Sequence, residues 1–276
     1  AVPMRKLAVC VTFMNEKYRR QIDEAAAAAG FMAHYYDTQA ALTPHIGDYE
    51  VIFGHPVPAQ LRQATGLRRL CSDFAGVEKY LDDAVWPRPD CLLSNGSGAY
   101  GPTISEHVIM VLLMLLRRMP EYQADLNRRL WTYHTPIRSI IGSRVVMLGT
   151  GDIGCNVARR LKALGASVTG VCRSGVSDEP AFDQVLPLSG LDNVLGTADA
   201  LIMALPATPE TEGILSRERI AMLPEEAYVV NVGRGSAIDQ EALVEALQAG
   251  RLAGTALDVV VPEPLPVDHP LWDCPN

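Results

Sequence analysis

The sequence predicts an α/β protein of two lobes, each built on a parallel sheet covered by helices, and three observations predict it. Short β-branched and apolar runs alternate with helix-patterned segments along most of the chain. A Pro- and Gly-rich stretch at residues 82–102, with Pro87, Pro89, Pro102, Gly96, Gly98 and Gly101, interrupts that alternation. A glycine turn, Gly149-Thr150-Gly151-Asp152-Ile153-Gly154, lies between a strand run and a helix run where a second alternation begins. With 276 residues, the chain is long enough for two ordinary cores.

In chain order, residues 7–13 read as a strand, Asn15 as the N-cap of a helix through residue 29, and Gly30 as its stop. Further strands are expected at residues 31–36, 50–53 and 67–74. The interrupted stretch places the domain boundary, giving a substrate domain over residues 1–98 and a dinucleotide-binding domain over residues 99–276. Residues 103–119 read as a long apolar helix followed by a polar stretch at 121–139. The second series has strands at residues 144–148, 167–172, 200–205, 227–232 and 254–259, and helices at 152–164, 191–195, 217–222 and 240–249. No repeat of solenoid period is present.

Composition excludes several classes. Apolar residues make up 48% and charged residues 20%, a folded rather than disordered composition. With 24 Lys and Arg against 32 Asp and Glu the formal charge is −8, so a nucleic-acid footprint is not expected and any anionic ligand must be held locally. The six cysteines form no CxxC pair and no metal-ligand spacing. They read as small core residues, Cys10 and Cys172 among them, in a reducing, cytoplasmic compartment, with no metal. The longest apolar run, residues 108–116, falls far short of the roughly 20 residues that span a bilayer. The amino end lacks a secretory h-region, and Ala1, Val2 and Pro3 read as additions ahead of a native Met4.

The glycine turn has the G-x-G-x-x-G spacing of dinucleotide-binding folds. Gly149 permits the tight turn, Gly151 the approach of a pyrophosphate, and Gly154 the packing of helix on strand, while the helix N-terminus with Asp152 and Ile153 offers N–H donors. Its context, strand before and helix after with Ile153, Val157, Leu161 and Leu164 on one stripe, is the one the motif requires. Where an NAD site carries an acid at the end of the next strand, this chain reads Val171-Cys172-Arg173-Ser174. A guanidinium with a neighbouring hydroxyl suits a 2′-phosphate, so NADP is expected, with NAD possible; the plain alternative is a solvated loop arginine. Asn231-Val232-Gly233-Arg234-Gly235 follows an apolar strand and sets Arg234 at the carboxyl edge of a sheet, and the segment from Asp258 to Pro266 follows the last strand in the same way.

On these residues, together with Leu205-Pro206-Ala207-Thr208-Pro209-Glu210-Thr211, His269-Pro270-Leu271-Trp272, Ser105-Glu106-His107 and Ala75-Gly76-Val77, the sequence resembles the D-isomer-specific 2-hydroxyacid dehydrogenases. It is most similar to the glyoxylate/hydroxypyruvate reductases among them, in register from about Leu70 onward. The resemblance implies two Rossmann- or flavodoxin-like lobes with the active site in the cleft between them. It implies reduction of a small 2-oxo acid to the D-2-hydroxy acid, with Arg234 on the carboxylate and carbonyl and the amides of Gly76 and Val77 completing the carboxylate site. Glu263 would keep a catalytic histidine protonated as general acid. Asp258 would bond the nicotinamide carboxamide, and Pro206, Thr211 and Val232 would line the cofactor site.

The resemblance places that histidine in an element following Pro275-Asn276, so it is expected beyond Asn276, along with the helix that completes the first lobe. His269 lies on the wrong side of the motif, and His107 is expected to be a buried helix residue near Glu106. His34, His45 and His134 carry no site signature, and His55 is a candidate for the substrate cleft. The apolar helix at 103–119 with Trp131 and Tyr133 suits a homodimer. The rival readings are a nucleotide-sensing corepressor on the same scaffold, without turnover, and a dehydrogenase for an inorganic or one-carbon anion.

Overall fold

Parallel strands buried on both faces need near-continuous apolar sequence, and helices returning over each face need about a dozen residues or more per crossover. The computed structural model meets both requirements twice; it describes residues 4–276, so Ala1 to Pro3 lie outside the described residues. The chain divides into two compact units, one ending at Ser97 and one running from Gly98 to Asn276.

The first unit contains β1 (Arg5–Cys10), α1 (Glu16–Ala28), β2 (Phe31–Tyr35), α2 (Gln39–Leu42), β3 (Val51–Gly54), α3 (Pro58–Leu61), β4 (Arg69–Cys71) and β5 (Leu92–Ser94). All pairings are parallel, in the order β2-β1-β3-β4-β5. Asn15 caps α1 as expected, its side chain accepting from the Tyr18 amide, and Gly30 ends the helix at φ +76°. The core gathers Ala8, Leu42, Ile52, Leu61, Leu70 and Tyr80.

The second unit contains α4 (Gly101–Leu116), α5 (Met119–Arg128), β6 (Arg144–Leu148), α6 (Asp152–Ala163), β7 (Ser167–Cys172), β8 (Gln184–Pro187), α7 (Asp192–Leu195), β9 (Ala200–Met203), α8 (Arg217–Met222), β10 (Tyr228–Asn231), α9 (Gln240–Gln248) and β11 (Gly254–Leu257). Its sheet runs β11-β10-β9-β6-β7-β8, all parallel, the doubly wound order with a reversal between β6 and β9. The period-2 alternation divides each central strand between two cores. Val146, Leu148, Leu201, Met203 and Val229 join the cluster that α8 and α9 cover, while Val145, Met147, Ile202 and Val230 join the one covered by α4 and α6.

The largest differences from the sequence-based expectation concern β5, β8, α4 and α5. Strand β5 lies within the stretch expected to hold no regular element, and β8 was not expected; both are edge strands of three and four residues, too short to show a period. The expected helix at 103–119 begins at Gly101 and stops at Leu116, because Arg118 turns left-handed at φ 57° and α5 starts anew at Met119. Helix α5 buries none of its residues, so no apolar stripe announced it.

Asp183 links α6 to β7: its carboxylate accepts from the Val168 amide at 2.8 Å and pairs with the Lys162 ammonium. The Lys162 hydrogen bond, helped by the Val168 amide, lowers its pKa below the usual carboxylate value. A depressed pKa contributes stability that is present above the unfolded-state value and lost as pH falls through the folded one. Asp183→Asn should lower stability at pH 7 by under about 1 kcal/mol, because the half-exposed pair is screened. Urea midpoints of the variant and the parent should converge as pH falls below the usual carboxylate range.

Candidate functional site

The turn between β6 and α6 is made by two glycines with opposite surroundings. A Cβ on Gly154 would stand 1.9 Å from the Gly149 carbonyl oxygen, so only glycine lets the helix lie this close to the strand end. A Cβ on Gly151 would meet nothing within 4 Å: the space over the turn is open. Gly151 is the N-cap of α6 and supplies no side-chain acceptor, which leaves first-turn amides for an anion.

Over this turn lies a cavity of about 420 Å³ bounded by Gly149 and Gly151, by Arg173 and Ser174 after β7, and by Pro206 and Thr211 after β9. Thr211 is buried and its hydroxyl donates to the Pro206 carbonyl at 2.6 Å and accepts from the Thr208 amide at 2.9 Å, closing the 206–211 loop into a fixed wall. Glu210 stands on the same wall, its pKa lowered by a hydrogen bond from Thr208 and, more weakly, by the charge of Arg173. The Gly151 cradle and the uncapped α6 terminus fit the diphosphate of a dinucleotide, and the Arg173 guanidinium borders the same cavity.

One expectation about this region is corrected. Cys172 is not a core residue: it lines the cavity, and hydrogen bonds with Ser174 and Thr150 lower its thiol pKa, although burial opposes them as the largest single effect. The Asp152 carboxylate is committed elsewhere, accepting from the Gly101 amide at 2.7 Å, where it holds the start of α4 against α6. Ile153 and Gly154 contribute packing rather than cavity wall, and Val232 is buried with its amide bonded to the Met203 carbonyl.

Arg234 sits one turn beyond β10. Asn231, fully buried, braces that turn: its amide donates to the Arg234 carbonyl at 2.9 Å and its oxygen accepts from the Gly233 amide at 3.0 Å. Sequence reasoning gave Asn231 no role, although an amide ending an apolar strand before Gly-Arg-Gly is a readable signal. The Arg234 guanidinium is half-buried and donates to the Gly233 carbonyl. A Cβ on Gly235 would lie 2.4 Å from the Val260 carbonyl, so the turn carrying Arg234 abuts the segment carrying Glu263. The exposed Glu263 carboxylate accepts from the Val260 amide at 3.1 Å, and none of the described histidines bonds it.

Asp258 is exposed and borders a different cavity, beside β11, with Pro264, Leu265 and Trp272. His107 corrects the expectation of a buried residue near Glu106: its side chain is 41% exposed and its Nε2 is 3.9 Å from Asp258, while Glu106 faces Arg160 at 3.7 Å. His269 caps the turn at Leu271 and bonds Gln240. Gly76 and Val77 lie in the first unit, in the turn between β4 and a short helical turn at Glu78–Tyr80. Among the described residues no cluster suits a metal, and no helix is long and apolar enough to cross a membrane.

Residues 109–276 match the family model described as D-isomer specific 2-hydroxyacid dehydrogenase, NAD binding domain. A glyoxylate/hydroxypyruvate reductase A of Serratia proteamaculans is 35% identical over 237 residues, which is 83% of this chain and 74% of that protein. Across the curated relatives the matched stretch covers between 34% and 80% of the relative, and 60% of a Corynebacterium melassecola protein. A D-isomer specific 2-hydroxyacid dehydrogenase family protein of Aeromonas salmonicida superposes with a TM-score of 0.88 at 36% identity, covering 99% of this chain and 87% of that one. A D-isomer specific 2-hydroxyacid dehydrogenase of Xanthobacter autotrophicus, solved with NADPH and MES, gives 0.81 at 26% identity, with 98% and 85% covered.

The two glycines should separate under substitution. Gly154→Ala forces backbone apart and should destabilise by about 1–3 kcal/mol. Gly151→Ala should shift the denaturation midpoint little but weaken dinucleotide binding at least about tenfold, because its Cβ occupies the phosphate approach. Denaturation and fluorescence titration of both variants check the pair.

Proposed function

The chain belongs to the D-isomer specific 2-hydroxyacid dehydrogenase family, and within it we propose an NADPH-preferring reductase that converts a small 2-oxo acid, of the glyoxylate or hydroxypyruvate kind, into the D-2-hydroxy acid. The observation that carries the reading is Arg234, braced by a buried asparagine at the carboxyl edge of the dinucleotide-domain sheet, on a turn that abuts the Glu263 segment. The reductase name of the Serratia relative and the NADPH bound by the Xanthobacter protein support it. Nothing among these relatives speaks for a corepressor.

In this proposal Gly149, Gly151, Pro206 and Thr211 seat the dinucleotide, and Arg173 with Ser174 takes the 2′-phosphate. The bound cofactor supplies the hydride. Asp258 holds the carboxamide, the Ile153 backbone amide in the first turn of α6 faces the diphosphate, and Val232 backs the seat from the core side. Arg234 fixes the carboxylate and polarises the carbonyl of the oxo acid, with the Gly76 and Val77 amides as the first unit's carboxylate donors. Glu263 keeps the general-acid histidine charged as the carbonyl oxygen becomes a hydroxyl. The apolar side chains exposed on α4, Met110, Leu113 and Met114, with Trp131 and Tyr133, are proposed as a homodimer face. Six free cysteines fit a cytoplasmic setting.

A panel of 2-oxo acids with NADPH and NADH tests the activity. If Arg173 makes one or two charge-assisted bonds to the phosphate, each of about 1.5–3 kcal/mol, NADPH should be preferred at least roughly tenfold. Arg173→Ala should erase that preference; equal kcat/KM with both cofactors in the parent refutes it. Arg234→Ala should lower kcat/KM at least about 100-fold, with the Kd for NADPH within about threefold of the parent. Glu263→Gln removes the charge that raises the histidine pKa, so the variant should lose reductive activity at lower pH than the parent. Superimposable pH profiles would argue against the pairing.

A further inference from the structure

The first unit has a reversal of its own. In the order β2-β1-β3-β4-β5 the chain turns from one side of the sheet to the other between β1 and β3, and open α/β sheets take ligands in the crevice outside the carboxyl ends at such a point. The last residues of those strands, Cys10 and Gly54, are register partners, and His55 is the next residue along. We propose that His55, held by Asp73, is a specificity residue that accepts a hydrogen bond from a hydroxyl on carbon 3 of the 2-oxo acid. This rests on the reductase reading above and goes beyond it by naming the substituent.

The histidine is restrained at both ends. Its Nδ1 lies 2.8 Å from Asp73 Oδ1, and the Asp73 side chain is 4% exposed against 25% for the imidazole. A carboxylate accepts only, so Nδ1 carries a proton toward Asp73, and it is the Nε2 edge of the ring, in its neutral form an acceptor, that is left for a ligand. Phe74 packs on the ring at 4.4 Å between centroids. The Lys79 ammonium donates to the His55 carbonyl at 3.3 Å, and the buried Tyr80 hydroxyl donates to the next carbonyl, Pro56, at 2.7 Å.

A solvated loop histidine would need none of these restraints. A pair kept only for stability gains little from placing a carboxylate in the interior, where desolvation offsets much of the attraction. Two apolar rings are open at this edge of the sheet: Phe13, after β1, and Phe74, after β4, leave about half their surface exposed. Gly76 and Val77, the proposed carboxylate donors, follow in the same post-β4 segment as Asp73. A ligand whose carboxylate binds those amides has its carbon chain to place beside the fixed imidazole. Glyoxylate has no carbon 3 and pyruvate has only a methyl there; hydroxypyruvate offers the donor. Sites built to hydrogen-bond a hydroxyl reject analogues lacking it more strongly than apolar pockets reject a methylene.

The test compares hydroxypyruvate, pyruvate and glyoxylate at saturating NADPH for the parent and for His55→Phe, which keeps a flat ring and loses both nitrogens. The ratio of kcat/KM for hydroxypyruvate over glyoxylate should fall at least tenfold, chiefly through the KM for hydroxypyruvate. A parallel loss on all three acids, or an unchanged ratio, overturns the proposal. His55→Leu, which also removes the acceptor, serves if the phenylalanine variant fails to fold, judged by its thermal transition. Absence of parent turnover with every 2-oxo acid and both cofactors would instead count against the reductase reading. The second measurement does not need turnover: the His55 imidazole NMR resonances of the NADP-loaded protein should move on titration with hydroxypyruvate and stay in place with glyoxylate. Resonances unmoved by hydroxypyruvate overturn the proposal.

Discussion

The second unit depends on the close approach of α6 to the end of β6, where the Gly149 carbonyl occupies the space that any side chain at Gly154 would need. That approach sets the helix axis, and the axis in turn aims the α6 N-terminus at the open volume over Gly151. It also presses Val157, Ala158 and Leu161 onto the sheet face shared with α4. Displacing the helix even by a methyl group would move the anion site and the core together, since close-packed interiors do not absorb such shifts locally.

Around that contact, the polar groups divide between holding and binding. Asp152 stands at the start of α6, where an acid would compete with an incoming phosphate, yet its carboxylate is turned to the Gly101 amide and serves the start of α4. Asn231 is likewise fully occupied, with both ends of its amide bonded within the turn it braces. Buried amides that satisfy both donor and acceptor cost little and fix one conformation. Turned to the cavity are Arg173, Ser174 and the helix terminus, with Glu210 on the facing wall, so a protein with a net charge of −8 still places a positive group and free amides together.

The central strands were legible because burial on both faces demands unbroken apolar runs, and 144–148 and 217–222 coincide with β6 and α8 to the residue. The edges were not. β5 and β8 each need apolar side chains on little of their length, and Pro187 closes β8, so neither presents a pattern. The glycine turn was legible for the opposite reason: its residue types answer to steric limits that hold wherever the motif occurs. The commitments of Asp152 and His107 depend on residues distant in sequence, Gly101 and Asp258, and no local spacing reports such partners.

The two sheets reverse at different strand pairs, β1 and β3 in one unit and β6 and β9 in the other, and in each the polar residues of interest follow the strands directly. His55 comes one residue after β3, Arg173 one residue after β7, and Arg234 a short turn after β10. Rigid strands fix the backbone from which each side chain departs, and in two of the three a buried or half-buried polar group adds a further restraint. For His55 that group is Asp73, and for the Arg234 turn it is Asn231. A carboxylate orients a ring by charge and tautomer, whereas an amide orients a backbone without adding charge. Under the proposed reductase reading the difference would matter beside an anionic substrate: a neutral brace adds no charge that would compete with a substrate carboxylate for Arg234, and the imidazole would stand between the Asp73 carboxylate and the ligand.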